Sequence, residues 1–212
     1  MEIPVQLKGR RHKINGVHRI LTLTIFFSGM AIFSAPSSAL GAQDSHAERP
    51  LCTAKTLPSE IENRIRTDFG TWSVQAPENL SHAAQLRWQG EQSSGCPGIA
   101  KGLFKSQKQT SYAVLLVPSG HPDAAYQLVV FTPKEDNSGY EESIVEKSDD
   151  RGASNYFIRQ VPIARFFGES SKRKFHVRTS EAILMVDAAE DEYEADVYFW
   201  SLGRFQQEPV DY

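Results

Sequence analysis

The sequence predicts an α+β fold: two amino-terminal helices packed on a mainly antiparallel β-sheet of about six to eight strands, as a single domain over residues 58–212. Three observations predict it. Apolar residues recur at four-residue steps up to residue 90. Beyond residue 110 the apolar runs take on strand character. The order of the two groups, helices first and strands after, differs from the alternating order that builds a parallel sheet.

The first helix is expected from Ser59, with Ser59 and Glu62 spaced as a capping box. Ile61, Ile65 and Phe69 fall on one face, and Gly70 stops the helix. Residues 71–75 are short and extended. Pro77 suits the first turn of a second helix, which runs to about Gln89 with Leu80, Ala84 and Trp88 on one stripe and Gly90 ending it. Residues 91–98 form a turn-rich connection.

Residues 112–117 (YAVLLV) and 126–131 (YQLVVF) are apolar on both faces, the pattern of central strands covered on both sides. Residues 140–146 alternate as a flanking strand does, 149–154 read as a turn, and 156–161 as a strand. Residues 163–168 fit no single period. Residues 174–178 and 182–187 are strand candidates. Residues 196–201 and 204–207 around Leu202-Gly203 read as a hairpin.

Ahead of this domain stands an export leader, residues 1–42. Lys8, Arg10, Arg11, Lys13 and Arg19 precede an uncharged apolar run, residues 20–35, and small residues follow to Ala42. Cleavage fits after Ala42 or after Ala39. The rival is an uncleaved anchor, but a spanning helix needs about 20 apolar residues and this run is shorter. Residues 43–57 read as a linker. Setting the leader aside leaves 18 basic and 25 acidic residues, a net charge of −7, which opposes nucleic acid as a partner. A membrane enters only through the leader, if it stays. Both cysteines, Cys52 and Cys96, lie beyond the leader, and an even pair in an exported chain predicts a disulfide. Its loop is worth on the order of 4 kcal/mol in the chain-entropy account.

No catalytic or cofactor motif stands out, and no metal site is predicted. His46, His82, His121 and His176 share no ligand-like spacing, and there is no Gly-x-Ser-x-Gly elbow. The candidates for partner binding are three. The acidic segment 187–196, with Glu190, Asp191, Glu192 and Glu194, would steer a basic protein, although the same charges also serve to discourage strand-edge pairing. Tyr198 and Trp200 share one aromatic face of the last hairpin, which serves either as a partly exposed binding surface or as a face buried under the second helix. His121 sits in the loop joining the two central strands. The basic run 170–174 reads as an exposed turn.

Two blocks carry a resemblance. Cys96-Pro97-Gly98-Ile99-Ala100-Lys101-Gly102-Leu103-Phe104 with residues 112–116, and Val197-Tyr198-Phe199-Trp200 with Gly203-Arg204-Phe205, resemble a group of small exported bacterial proteins. The resemblance follows the order of elements over most of residues 57–212, and only these two blocks are specific. It implies a periplasmic or secreted bacterial protein and carries no activity across. The first block also distantly resembles an FG-GAP or VCBS-type unit, in which an Asp-rich loop holds calcium. Here that loop is Lys105-Ser106-Gln107-Lys108-Gln109. Calcium takes six to eight oxygens, several from carboxylates, so two lysines and no acid exclude it.

These features point first to an exported, non-enzymatic binding module, envelope-associated or inhibitor-like, whose partner is an envelope or secreted protein with a basic surface. A hydrolase acting on an envelope polymer or a small ester, and a structural accessory domain, are the alternatives.

Overall fold

The structure is a computed structural model and describes residues 56–91, 95–189 and 194–211. The leader, most of the linker, Cys52, His46, Glu190, Asp191 and Glu192 lie outside the described residues.

The architecture is predominantly antiparallel sheet with a few helices. Nine strands among the described residues divide into two sheets. The first centres on β3 (Ser111–Pro118), which pairs with β4 (Tyr126–Pro133), and β4 pairs with β5 (Tyr140–Ser148). On its other side β3 takes two short strands end to end: β1 (Trp72–Val74) against Leu116–Pro118 and β2 (Ile99–Gly102) against Ser111–Val114. Their junction lies at Leu115, whose carbonyl accepts from Gln75 N at 2.8 Å and whose N–H donates to Gly98 O at 2.9 Å. The second sheet is a meander of β6 (Tyr156–Pro162), β7 (Glu181–Asp187), β8 (Glu194–Ser201) and β9 (Arg204–Asp211).

Strand alternation sorts the side chains into three apolar layers. Ala113, Leu115 and Val117 of β3, with Tyr126, Leu128 and Val130 of β4, meet Ile158, Ile183, Met185 and Tyr198 of the second sheet. Val114, Leu116, Val129 and Phe131 face the other way. They are covered by Ile61, Ile65 and Phe69, on and just after helix α1 (Ser59–Asp68). The outer face of the second sheet, including Phe157, Leu184, Val197 and Phe199, is covered by Leu80 and by Ala84 and Trp88 of α2 (His82–Gly90). Each such side chain taken fully out of water contributes roughly 1.5–3 kcal/mol.

This layering corrects the single-sheet expectation: the two helices cover different sheets, and the sheets pack face to face. Strands apolar on both faces fit either a helix-covered sheet or a sheet-on-sheet layer, and β3 and β7 meet both conditions at once. Local expectations shift too. Pro58 occupies the N-cap of α1 with no side-chain cap bond, so Ser59 becomes the first helical residue and the Ser59–Glu62 box does not form. The stretch expected as one helix from Pro77 is a 3-10 turn at Pro77–Asn79, after which Leu80 is extended. Ser81 then caps α2, its hydroxyl accepting from Ala84 N. Residues 170–174 and the strand expected over 174–178 are instead α3 (Glu169–Lys174) and its exit. The final hairpin forms as expected, with Leu202 (φ 51°) and Gly203 (φ 81°) both left-handed, as a two-residue turn of the tight primed type requires.

No helix among the described residues is long and apolar enough to cross a membrane. Cys96 is buried and is not a free thiol.

Candidate functional site

Two excursions from the sheets face one another. The first is the loop 103–110 between β2 and β3. Phe104, fully buried between the sheets, anchors it, and Leu103 N donates to Glu181 Oε2 at 2.5 Å. The second is the segment 163–180 between β6 and β7, closed at its base by Ile163 N donating to Ser180 O at 2.9 Å. Phe167 and Phe175 fasten it to the outer face of the second sheet by edge-on contacts with Phe199, at 4.9 and 5.8 Å between centroids. Gln107 Nε2 donates to Arg178 O at 2.6 Å and ties the two excursions together.

Between them lies an open cleft of about 870 Å³, bordered by Lys105, Lys108, Lys172, Arg178 and Thr179. Lys105 is engaged: it pairs with Glu141 and stands 4.8 Å above the Trp200 ring. Lys172 pairs with Glu169 at 2.9 Å, across one turn of α3. Among the described residues Lys108 and Arg178 form no ion pair, and both are exposed. The cleft therefore presents two uncompensated cations on a chain whose net charge is negative. Thr179 is only 6 % exposed, and its hydroxyl has no hydrogen-bond partner among the described residues.

A neighbouring cavity of about 300 Å³ shares Arg178 with the cleft and adds His176, Trp200 and Leu202. His176 sits there at φ 52°, directly after α3. His176 N donates to Arg173 O and Val177 N to Lys172 O, the two reverse bonds of a Schellman exit, a place glycine usually fills. Of the expected binding residues that the structure describes, Trp200 alone borders this region. Its ring meets Phe205 edge-on at 5.1 Å.

The other candidates lie elsewhere. His121 is exposed in the loop after β3, whereas the cleft lies before that strand; eight residues at about 3.3 Å each put roughly 25 Å between the two ends. Glu194 is exposed at the start of β8, and Trp200 lies near its end. Tyr198, for which a partly exposed face and a buried one were both open, is 1 % exposed. The sheet-on-sheet layer claims that face, so Tyr198 cannot touch a partner.

No protein-family model matches the chain, and neither a curated protein nor a solved structure does.

A second polar cluster lies toward the opposite end of the sheets. The Tyr126 hydroxyl donates to Glu146 Oε1 at 2.6 Å, and Arg151 Nη2 approaches that hydroxyl at 3.5 Å. The Tyr126 and Tyr156 rings tilt together at 5.4 Å, and Tyr156 hydrogen-bonds Asp187. Burial is the largest cause holding the Glu146 carboxyl above its ordinary range, with the Asp196 charge adding to it. Burial, then Glu146, pushes the Tyr126 phenol up to about 12. A proton is thus held at Glu146 and Tyr126 more firmly than in water. Among the described residues no three His, Cys, Asp or Glu side chains gather as metal ligands.

The cleft residues were hard to reach from sequence because they come from two loops some seventy positions apart. The available signal was local charge: Lys105 and Lys108 in one loop, and Lys172 through Arg178 in the other, set against an acidic background.

Proposed function

We propose that the chain is an exported, non-enzymatic binding module and that the cleft between residues 103–110 and 163–180 is its contact surface. Export rests on the basic and apolar leader. The carrying observation is Arg178, an exposed residue with no ion pair among the described residues, beside Thr179, whose buried hydroxyl has no partner among them. Guanidinium, ammonium and hydroxyl groups hold an anion without exchanging protons with it, which suits retention of a ligand. The partner therefore carries negative groups. The acidic segment at Glu190, Asp191 and Glu192 remains the surface for a basic partner, and the same experiment separates the two. In the same reading the Cys52–Cys96 disulfide pins the linker to the start of β2.

The test is capture from an envelope extract of the source organism by the immobilised, processed protein, at low and high salt. The expected result is one stoichiometric component that is released by salt and lost with Arg178→Ala. Equal capture by wild type and Arg178→Ala removes the cleft as the surface. Loss on neutralising Glu190, Asp191 and Glu192 instead returns the surface to the acidic segment.

A further inference from the structure

Resting on the cleft reading, we infer that the occupant of this site is a phosphate monoester, its phosphate held by Arg178, Lys108 and the Thr179 hydroxyl and its organic part lying in the neighbouring cavity beside Trp200. Three features converge on this class. The first is Thr179. Its hydroxyl is removed from water and bonds nothing among the described residues, a cost that a valine of the same shape would not bear. Thr179 borders the cleft, and an anionic oxygen lodged there is the strongest acceptor such a donor could be offered.

Charge is the second feature. Lys105 and Lys172 are neutralised by Glu141 and Glu169, which leaves Lys108 and Arg178 as two cations facing one space. A monocarboxylate would balance one of them. A phosphate monoester carries between one and two negative charges at neutral pH and balances both. The forked donors of Arg178 and the point charge of Lys108 suit an anion with three acceptor oxygens.

The third is Arg178's position on both the cleft and the 300 Å³ cavity that Trp200 and Leu202 border. A phosphate at Arg178 leaves the rest of its ester next to an indole ring and an aliphatic side chain, so the preferred ester carries a ring or other flat apolar group.

The experiment is calorimetric titration of the processed full chain with phenyl phosphate, inorganic phosphate and phenyl sulfate at two salt concentrations, together with thermal unfolding of each variant. Phenyl phosphate should bind saturably, more tightly than inorganic phosphate, and more weakly at high salt. Phenyl sulfate, with one charge fewer, should bind several-fold more weakly. Arg178→Ala and Lys108→Ala should each weaken phenyl phosphate by about tenfold or more at unchanged Tm. Thr179→Val should weaken it by about tenfold while Tm stays level or rises, a pairing that a purely structural threonine would not give. Trp200→Ala should erase the preference for phenyl phosphate over inorganic phosphate. The inference is overturned if wild type shows no saturable binding up to about 10 mM. It is equally overturned if Thr179→Val binds as wild type does, since the hydroxyl would then make no contact with the ligand. Should phosphate fail while envelope capture still depends on Arg178, the ligand class falls and the binding module stands.

Discussion

Substituting alanine for Gly98 tests the joint on which the first sheet depends. A Cβ at Gly98 would stand 2.5 Å from Gln75 O, 2.8 Å from Gln75 Cβ and 2.9 Å from Gln75 N. Ordinary contact begins near 3.4 Å, so one of the two segments must move by more than half an ångström. Neither moves freely. Gln75 N is bonded to Leu115 O and Gly98 O receives Leu115 N, so separating them stretches one of the two bonds that hold β1 and β2 to the centre of β3. Gln75 is also fully buried, with its Nε2 donating to Ala153 O at 2.5 Å, so its side chain cannot swing aside. Overpacking costs about 1–3 kcal/mol, and a buried backbone group left unpaired costs about 1–3 kcal/mol more. We expect a total of about 2–6 kcal/mol, and at this chain length a fall in Tm of roughly 6–18 °C. The assay is thermal unfolding by circular dichroism, with amide exchange at Gln75 and Leu115 locating the damage. Gly90→Ala is the matched control: nothing lies within 4 Å of its Cβ at the end of α2, so alanine should stabilise by about 0.5–1 kcal/mol. A Gly98→Ala protein melting within about 2 °C of wild type would refute the steric argument.

Three further outcomes are expected. His176→Gly should raise stability by about 0.5–1 kcal/mol in urea unfolding, because glycine occupies the left-handed exit of α3 without a Cβ penalty; an unchanged midpoint would mean the histidine makes good the strain through its side chain. Leu202→Asn should stabilise the β8–β9 hairpin by a similar amount, since Asn-Gly suits a turn with two left-handed residues and Leu202 is 74 % exposed; the same urea series reads it. The Glu146–Tyr126 pair sets a pH dependence. Both groups hold their protons more tightly folded than unfolded, so their stabilising contribution is complete below the unfolded pKa values. It is lost as pH rises, first through the raised value of Glu146 and then, above about 10, through the Tyr126 value of about 12. Glu146→Gln should therefore raise Tm more at pH 8 than at pH 4, and a gain independent of pH would refute the assignment.

The parts of this fold that sequence made legible are those decided by neighbours along the chain. Strands β3, β4 and β7 announce themselves because β-branched and aromatic residues fill consecutive positions, and the β8–β9 turn because Leu202-Gly203 separates two aromatic runs. The division into two sheets was not legible. A strand buried on both sides reads the same whether its second face meets a helix or another sheet, and only the pairing of β3 with β1, β2 and β4, and of β7 with β6 and β8, decides it. The same ambiguity left Tyr198 open: alternation put it opposite Phe199 correctly, and both sides of β8 turned out to be interior.

The cleft was illegible for a different reason, and that reason bears on how its charges should be read. Pattern in a sequence reports periodicity, and loops have none. Lys108 and Arg178 border one cleft because Phe104 plugs one loop into the inter-sheet layer while Phe167 and Phe175 fasten the other to the outer layer. These aromatic anchors are spent on packing, and among the described residues the side chains of Lys108 and Arg178 form no ion pair. Glu141 and Glu169 show that the chain compensates cations in this region when stability is the only demand. Two exposed cations with no ion pair and a buried hydroxyl with no bond, among the described residues, are a combination that folding does not call for. The opposite responses expected of Thr179→Val, weaker binding and equal or greater stability, follow from that separation of roles.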